Sequence, residues 1–325
     1  MKALVTGCAG FIGSHLTESL LADGHEVVGV DCFTDNYGRE TKRANLEAAA
    51  DWAAFRFLSL DLGHAPLDRL VEQVDVVFHL AAEPGVRTSW GTRFESYVHN
   101  NVLATQHLLE AAKAWPEKRV VYASSSSIYG DAELLPTSED TIPRPFSPYG
   151  VTKLAAEHLC TLYHGNFGLQ TVSLRYFSVY GPRQRPDMAF NRFCRAAVLG
   201  QPLTIFGDGR QTRDFTFVSD VVAATRSAAT APRAAGGVYN VGGGSGASVN
   251  EALELIAALA GRPLDVRYID RELGDVRDTG ADISRAGTDL GYQPRTSLAE
   301  GLQAELEWML EREAAAAPRA RVAAT

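Results

Sequence analysis

The chain has 325 residues, 46% of them hydrophobic and 22% charged, the usage of an ordinary globular protein long enough to bury its own core in about two domains. A formal net charge of −8 gives no electrostatic footprint for nucleic acid. Four scattered cysteines (Cys8, Cys32, Cys160, Cys194) make neither a zinc signature nor a disulfide framework, and no apolar run reaches the ~18 residues of a membrane span, so no metal and no membrane partner are expected.

The chain opens on MKALVTG, which is strand-like and lacks the pattern of a signal peptide, so cytoplasmic residence is the expectation. Apolar, β-branched runs at 3–6, 26–31, 55–60, 74–81, 119–124 and 171–177 read as strands. Several are nearly continuous in apolar residues, as strands covered on both faces are. Helical stretches at 13–22, 42–50, 67–73, 94–114 and 148–164 lie between them. This alternation predicts an α/β fold, with a doubly wound parallel sheet over residues 1–180. Past residue 180 the pattern changes to a basic, turn-rich GPRQRP, a helix at 189–199, a strand at 203–206, a loop at 207–210 and a helix at 248–260. Residues 181–313 read as a second, smaller α/β substrate domain, with some crossing of the chain between the two. Residues 314–325, rich in Ala and Arg without an apolar period, read as a disordered tail.

The first strand and first helix are joined by TGCAGFIG, with glycines at 7, 10 and 13. Glycine there permits a tight turn and close approach of a pyrophosphate to the helix N-terminus. Asp31 ends the second strand 18 positions after Gly13, near the ~20 expected of a ribose-binding acid. A carboxylate accepts hydrogen bonds from a ribose diol and repels a 2′-phosphate, which favours NAD over NADP; Arg39 is the nearest cation downstream.

Tyr149 and Lys153 stand four residues apart at the start of a predicted helix, on one face. An ammonium beside a phenol favours phenolate, and so pulls the phenol down from ~10 toward working pH. Upstream, Ser124 to Ser127 close the fifth strand at its carboxyl end, where ligands bind in open α/β sheets.

With these pieces in place the chain resembles an extended short-chain dehydrogenase/reductase of the nucleotide-sugar epimerase and dehydratase family. The segments TGCAGFIG, VDCFTDNY, HLAA, NNVLAT, SSSSIYG, SPYGVTK, RYFSVYGPRQRPDM and RDFTFVSDVV run in the family's order. The resemblance implies a Rossmann domain holding NAD and a C-terminal domain holding a nucleotide sugar. It assigns Gly7, Gly10, Phe11, Ile12, Gly13, Asp31, Asn36, Asp61, Leu62, Leu80, Ala81, Ala82, Asn101 and Tyr176 to the cofactor, together with Tyr149 and Lys153. It makes Ser125, Tyr149 and Lys153 the catalytic set, and it implies a homodimer paired through the helices at 94–114 and 148–164.

Family dehydratases carry Asp-Glu after the catalytic Ser/Thr, and UDP-glucuronate decarboxylases carry a Glu. This chain has Ser126 and Ser127, and neither hydroxyl is an acid or base near neutral pH. Epimerases of neutral UDP-hexoses typically read RYFNVYGP, where this chain has Ser178. In that respect, and in AAEPGVR and FTDNY, it is similar to UDP-glucuronate 4-epimerases. A sugar carboxylate needs hydrogen-bond donors and a cation, for which Ser126, Ser127, Ser178, Arg185 and Arg87 are candidates. Ser125 and Tyr149 face the same sugar, and Arg192, Arg213 and Arg271 are further substrate-binding candidates, the last two for the diphosphate. The expected reaction is NAD-dependent interconversion of UDP-glucuronate and UDP-galacturonate through a 4-keto sugar. A UDP-hexose 4-epimerase is the alternative, ahead of a UDP-glucuronate decarboxylase or a 4,6-dehydratase.

Overall fold

A computed structural model describes residues 1–244, 246–270 and 276–322. Seven parallel strands form the central sheet: β1 (Lys2–Thr6), β2 (Glu26–Asp31), β3 (Phe55–Ser59), β4 (Val76–His79), β5 (Arg119–Ser125), β6 (Gln170–Tyr176) and β7 (Val238–Val241). They lie in the order β7-β6-β5-β4-β1-β2-β3. The order reverses beside β1, which opens the crevice where such sheets bind ligands. Successive residues of the inner strands feed opposite layers. Ala3, Val5, Val121 and Val172 join one hydrophobic cluster, while Leu4, Val77, Val120 and Tyr122 join another. Burial on both faces is why these strands are apolar at nearly every position.

The helix α1 (Phe11–Ala22) starts at the glycine turn, with Gly10 as its N-cap. The expected helix at 94–114 is three pieces: Phe94–Tyr97, a π-helical turn Val98–Leu103, and α2 (Ala104–Ala112). The helix α3 (Pro148–Phe167) has a clear start and stop. The Ser147 side chain accepts from the Gly150 amide at 3.1 Å, proline occupies the first turn, and Gly168 closes it at φ 71°.

The C-terminal part of the chain contributes to both layers. The helix α5 (Val218–Thr230) packs Val218, Val221, Ala224 and Ala228 into the sheet's cluster, and β7 completes the sheet beside β6. A separate cluster joins α4 (Ala189–Leu199), the strand Leu203–Phe206, α6 (Val249–Leu259) and α7 (Leu298–Val322) through Phe190, Phe193, Ile205, Leu253, Ile256, Leu302 and Leu306. The disordered tail expected from residue 314 is instead helical backbone as far as Val322, an extension favoured by its run of alanines.

Candidate active site

One cavity opens at the carboxyl ends of β1, β2, β4 and β5 and is lined by Gly7, Gly10, Phe11, Ile12, Gly13, Asp31, Asn36, Leu62, Leu80, Ala81, Ala82, Tyr149, Lys153 and Tyr176, among others. Its floor is backbone. Gly7 sits at φ 71°, and a Cβ on Gly13 would fall 2.1 Å from the Gly7 carbonyl oxygen. No larger residue lets the turn fold back on the helix so tightly. Asp31 is buried, with its carboxylate accepting from the Ala9 amide at 3.2 Å and the Phe33 amide at 2.8 Å. A helix N-terminus, a glycine cradle, an acid at the second strand's end and apolar walls fit a dinucleotide without further machinery.

Two residues assigned to the cofactor are not among those lining this cavity. Asn101 is buried and works as a staple: its side chain accepts from the Glu83 amide at 2.7 Å and donates to the Glu83 carbonyl and Thr152 Oγ1. Its neighbour Asn100 lines the cavity instead, because the π turn rotates the positions that a regular helix would present. Asp61 is engaged by the Gly63 amide and by the rings of His64 and His99. Burial works to raise its carboxyl, yet these hydrogen bonds hold it below the usual carboxylate range. Arg39 lies over the Phe33 ring, 6.0 Å from its centre, outside this cavity. The cation beside Asp31 is Lys42, whose ammonium donates to Thr34 Oγ1 at 3.0 Å and its carbonyl at 2.8 Å.

Tyr149 and Lys153 reach the cavity from the first two turns of α3, and Ser124 from the end of β5; the predicted Ser125, the next residue, is buried and lines neither this cavity nor the second one. Burial pushes the Tyr149 phenol up, against a hydrogen bond from Ser125 and the positive charge of Arg185. Arg185 is thus a further cation favouring the phenolate, one that the sequence argument had not given that role. Lys153 is itself pushed down to about 7 by burial, and its ammonium sits 4.4 Å over the Tyr122 ring.

A second, smaller cavity reaches Ser147, the residue before α3 and two positions from Tyr149. It is lined by Val86, Ser126, Ser127, Phe146, Ser147, Ser178, Arg213, Val276 and Thr279. Three of the predicted serines and one predicted arginine therefore meet, although they come from three separate segments. Ser178 turns the chain out of β6 at φ 22°. Arg213 stands on the strand Thr212–Asp214, its guanidinium donating to the carbonyls of Val276 at 2.6 Å and Arg277 at 2.7 Å.

The other arginines separate. Arg185 lines the larger cavity and is paired with Asp187 through bonds of 3.0 and 2.8 Å. Arg87 stacks on Phe206, 4.2 Å from the ring centre, and Arg192 rides half-buried on α4; neither is among the residues lining the two cavities. Arg271 lies outside the described residues. Sequence reasoning missed Thr34, Tyr37, Lys42 and Asn100 in the larger cavity and Phe146, Ser147 and Thr279 in the smaller. The signal for the first two was present: FTDNY follows the second strand, where a nucleotide's ribose would sit.

Residues 3–242 match the model of the NAD dependent epimerase/dehydratase family. The chain belongs to that family. It is 46% identical to an uncharacterised UDP-glucose epimerase of Bacillus subtilis, over 95% of this chain and 98% of that protein. It is 38% identical to the UDP-glucuronate 4-epimerase of Thermodesulfobacterium geofontis, over 95% and 96%. A crystal structure of the UDP-glucuronic acid 4-epimerase of Bacillus cereus, in complex with UDP-glucuronic acid and NAD, superposes with a TM-score of 0.93 at 45% identity, over 96% of this chain and 100% of that one. This member of the family thus keeps an intact Ser125, Tyr149 and Lys153 beside a dinucleotide-shaped cavity.

Proposed function

We propose that the protein is a UDP-glucuronate 4-epimerase, interconverting UDP-glucuronate and UDP-galacturonate with NAD held in the larger cavity. The observation that carries this reading is the cluster of Ser126, Ser127 and Ser178 in one cavity next to Tyr149. Hydroxyls can grip a sugar carboxylate by donating hydrogen bonds, but they cannot perform the acid–base work of a dehydration. NAD, when bound, accepts the hydride from C4 of the sugar and returns it. Tyr149 takes the proton from the 4-hydroxyl as general base and gives it back after the sugar has turned its other face. Ser125 hydrogen-bonds that oxygen, and Arg185 stabilises the phenolate. Arg213, a guanidinium in the serine-lined cavity, neutralises the diphosphate. Arg185 belongs to the reacting end, nearer Tyr149, and so acts on the sugar carboxylate only from that side.

The relatives of similar identity include a UDP-glucose epimerase, which keeps the neutral hexose as the second reading. Exposed apolar side chains on and just before the helices next to the site, Trp90, Phe94, Leu103, Val151 and Leu162, favour a homodimer paired through these helices. Four free cysteines suit the reducing cytoplasm. No described helix is long and apolar enough to cross a membrane. Incubating the purified protein with UDP-glucuronate or UDP-glucose, without added NAD, and resolving the products tests the assignment. Formation of UDP-galacturonate is expected; turnover of UDP-glucose alone overturns it.

A further inference from the structure

Glu157 is buried and is not among the residues lining either cavity, yet it joins the three elements that carry the reacting end of the cofactor cavity. It stands on α3, four residues after Lys153 and eight after Tyr149, so the three share one face of the helix. Its Oε2 accepts from Ser124 Oγ at 2.6 Å, at the end of β5, where Ser124 lines the cavity and Ser125 follows. Its two oxygens also take a forked pair of bonds from Arg175 on β6, Nε to Oε2 at 3.0 Å and Nη2 to Oε1 at 2.6 Å. The residue after Arg175 is Tyr176, which lines the same cavity.

Arg175 carries the link further. Its Nη1 donates to the Tyr129 hydroxyl at 2.6 Å and to the Glu139 carbonyl at 3.1 Å, and the Tyr129 hydroxyl donates to Asn240 Oδ1 on β7 at 2.7 Å. Tyr129 lies four residues past Ser125, so the segment from Ser124 to Tyr129 is pinned at both ends to one ion pair. Forked, charge-assisted bonds fix direction as well as distance. Glu157 also sets the charge around Lys153. Burial pushes the Lys153 ammonium down to about 7, and Cys160 and Glu157 act against that. Of the groups facing it, burial holds the Cys160 thiol up at about 12, the Tyr122 phenol well above its usual range, the Tyr149 phenol up and the His79 ring down at about 3, so these four are neutral near pH 7. The negative charge that favours the ammonium therefore belongs to Glu157, which shares it with Arg175.

We propose that Glu157 is a positioning residue of the epimerase reaction: it clamps the end of β5 to α3 so that Ser125, Tyr149 and Lys153 keep their mutual geometry, and it places a negative charge behind the Lys153 ammonium. This rests on the assignment of Tyr149 as the base in the reaction proposed above. A buried ion pair contributes little net stability, because desolvation offsets its attraction. What this one supplies is the register of a strand end against a helix.

The test uses the full chain with its copurified nucleotide, assayed on whichever UDP-sugar the parent epimerises, so that failure of the glucuronate assignment and failure of this proposal are told apart. Glu157→Gln keeps the shape but loses the charge and one arm of the Arg175 fork. We expect kcat to fall by up to about 100-fold, the cost of misplacing a reacting group by ~1 Å. KM for the UDP-sugar should change little, because Arg213 and the serine-lined cavity are untouched. Without the carboxylate, and with Arg175 left unpaired, Lys153 gives up its proton more readily, so the alkaline limb of the kcat profile moves to lower pH by about one unit or more. A residue that only supports the fold would lower Tm and leave that limb in place. Ser124→Ala removes one bond and keeps the ion pair; a smaller fall in kcat is expected, with the limb unmoved and the NAD content unchanged. The proposal is overturned if either the kcat or the alkaline limb of Glu157→Gln matches the parent. If that variant does not fold, Ser124→Ala decides the matter, and a kcat equal to the parent's overturns the proposal.

Discussion

The two cavities are built in different ways. The cofactor cavity is largely backbone: a glycine turn, strand ends and a helix N-terminus, all within one sheet whose parts follow each other in the chain. The serine-lined cavity is made of side chains on loops and short strands, gathered from residues as far apart as Val86 and Thr279. A backbone site tolerates no added atoms and offers little choice of ligand. A side-chain site can change its ligand by one substitution. The family's shared chemistry belongs to the first, and its range of sugars to the second.

The largest break falls at Tyr149 itself. Tyr149→Phe keeps the ring and its packing but removes the base, and kcat is expected to fall by ~10²–10⁴. Affinity for UDP should be retained, because Arg213 and the rest of the serine-lined cavity are unchanged; steady-state kinetics with calorimetry of UDP binding checks both. Retention of more than about a tenth of the parent turnover would exclude Tyr149 as the base.

Gly13→Ala attacks the backbone side alone. Its new methyl must displace the Gly7 carbonyl, from which it would stand only 2.1 Å away. Overpacking of this kind costs about 1–3 kcal/mol or more. The expected outcome is a loss of most of the NAD released on denaturing the purified protein. Undiminished NAD content would mean that the turn is looser than its geometry.

Ser178→Ala attacks the side-chain region alone. Leaving a carboxylate short of one donor costs ~1–3 kcal/mol, which is roughly 5- to 150-fold in kcat/KM for UDP-glucuronate. UDP-glucose, which has no carboxylate, should be almost unaffected. The oxidised glucuronate is a β-keto acid, so a loosened grip should also release CO₂ and leave a UDP-4-keto-pentose, detectable by mass spectrometry. Equal effects on both sugars would remove the carboxylate from this cavity.

The smallest effect is one of pH. Arg185 favours the phenolate of Tyr149, so Arg185→Ala should raise the phenol further. The active form is the deprotonated one, and the acid limb of the kcat profile therefore moves to higher pH. An opposite charge within ~4–6 Å is worth 1–3 pH units, and the lower end is expected because Asp187 partly neutralises Arg185. An unmoved limb would leave to Lys153 alone the role that the sequence first gave it.

The sequence by itself determined the doubly wound sheet, the glycine turn, Asp31 at the end of the second strand and the Tyr149–Lys153 pair. Each is written in neighbouring residues, as apolar continuity, a turn that only glycine can make, or a spacing of one helical turn. What only the tertiary structure decided depends on partners distant in the chain. Asn100 rather than Asn101 faces the cofactor cavity because a π turn, held by Asn101's bonds to Glu83 and Thr152, shifts the helix face. Arg87 turned to Phe206 and Arg185 to Asp187, since a long cationic side chain goes to whichever ring or carboxylate the fold brings within reach. The meeting of Asp61 with His99 has the same origin: the loop after β3 and the π turn are remote in sequence, and only the packing of the sheet against its helices makes them neighbours.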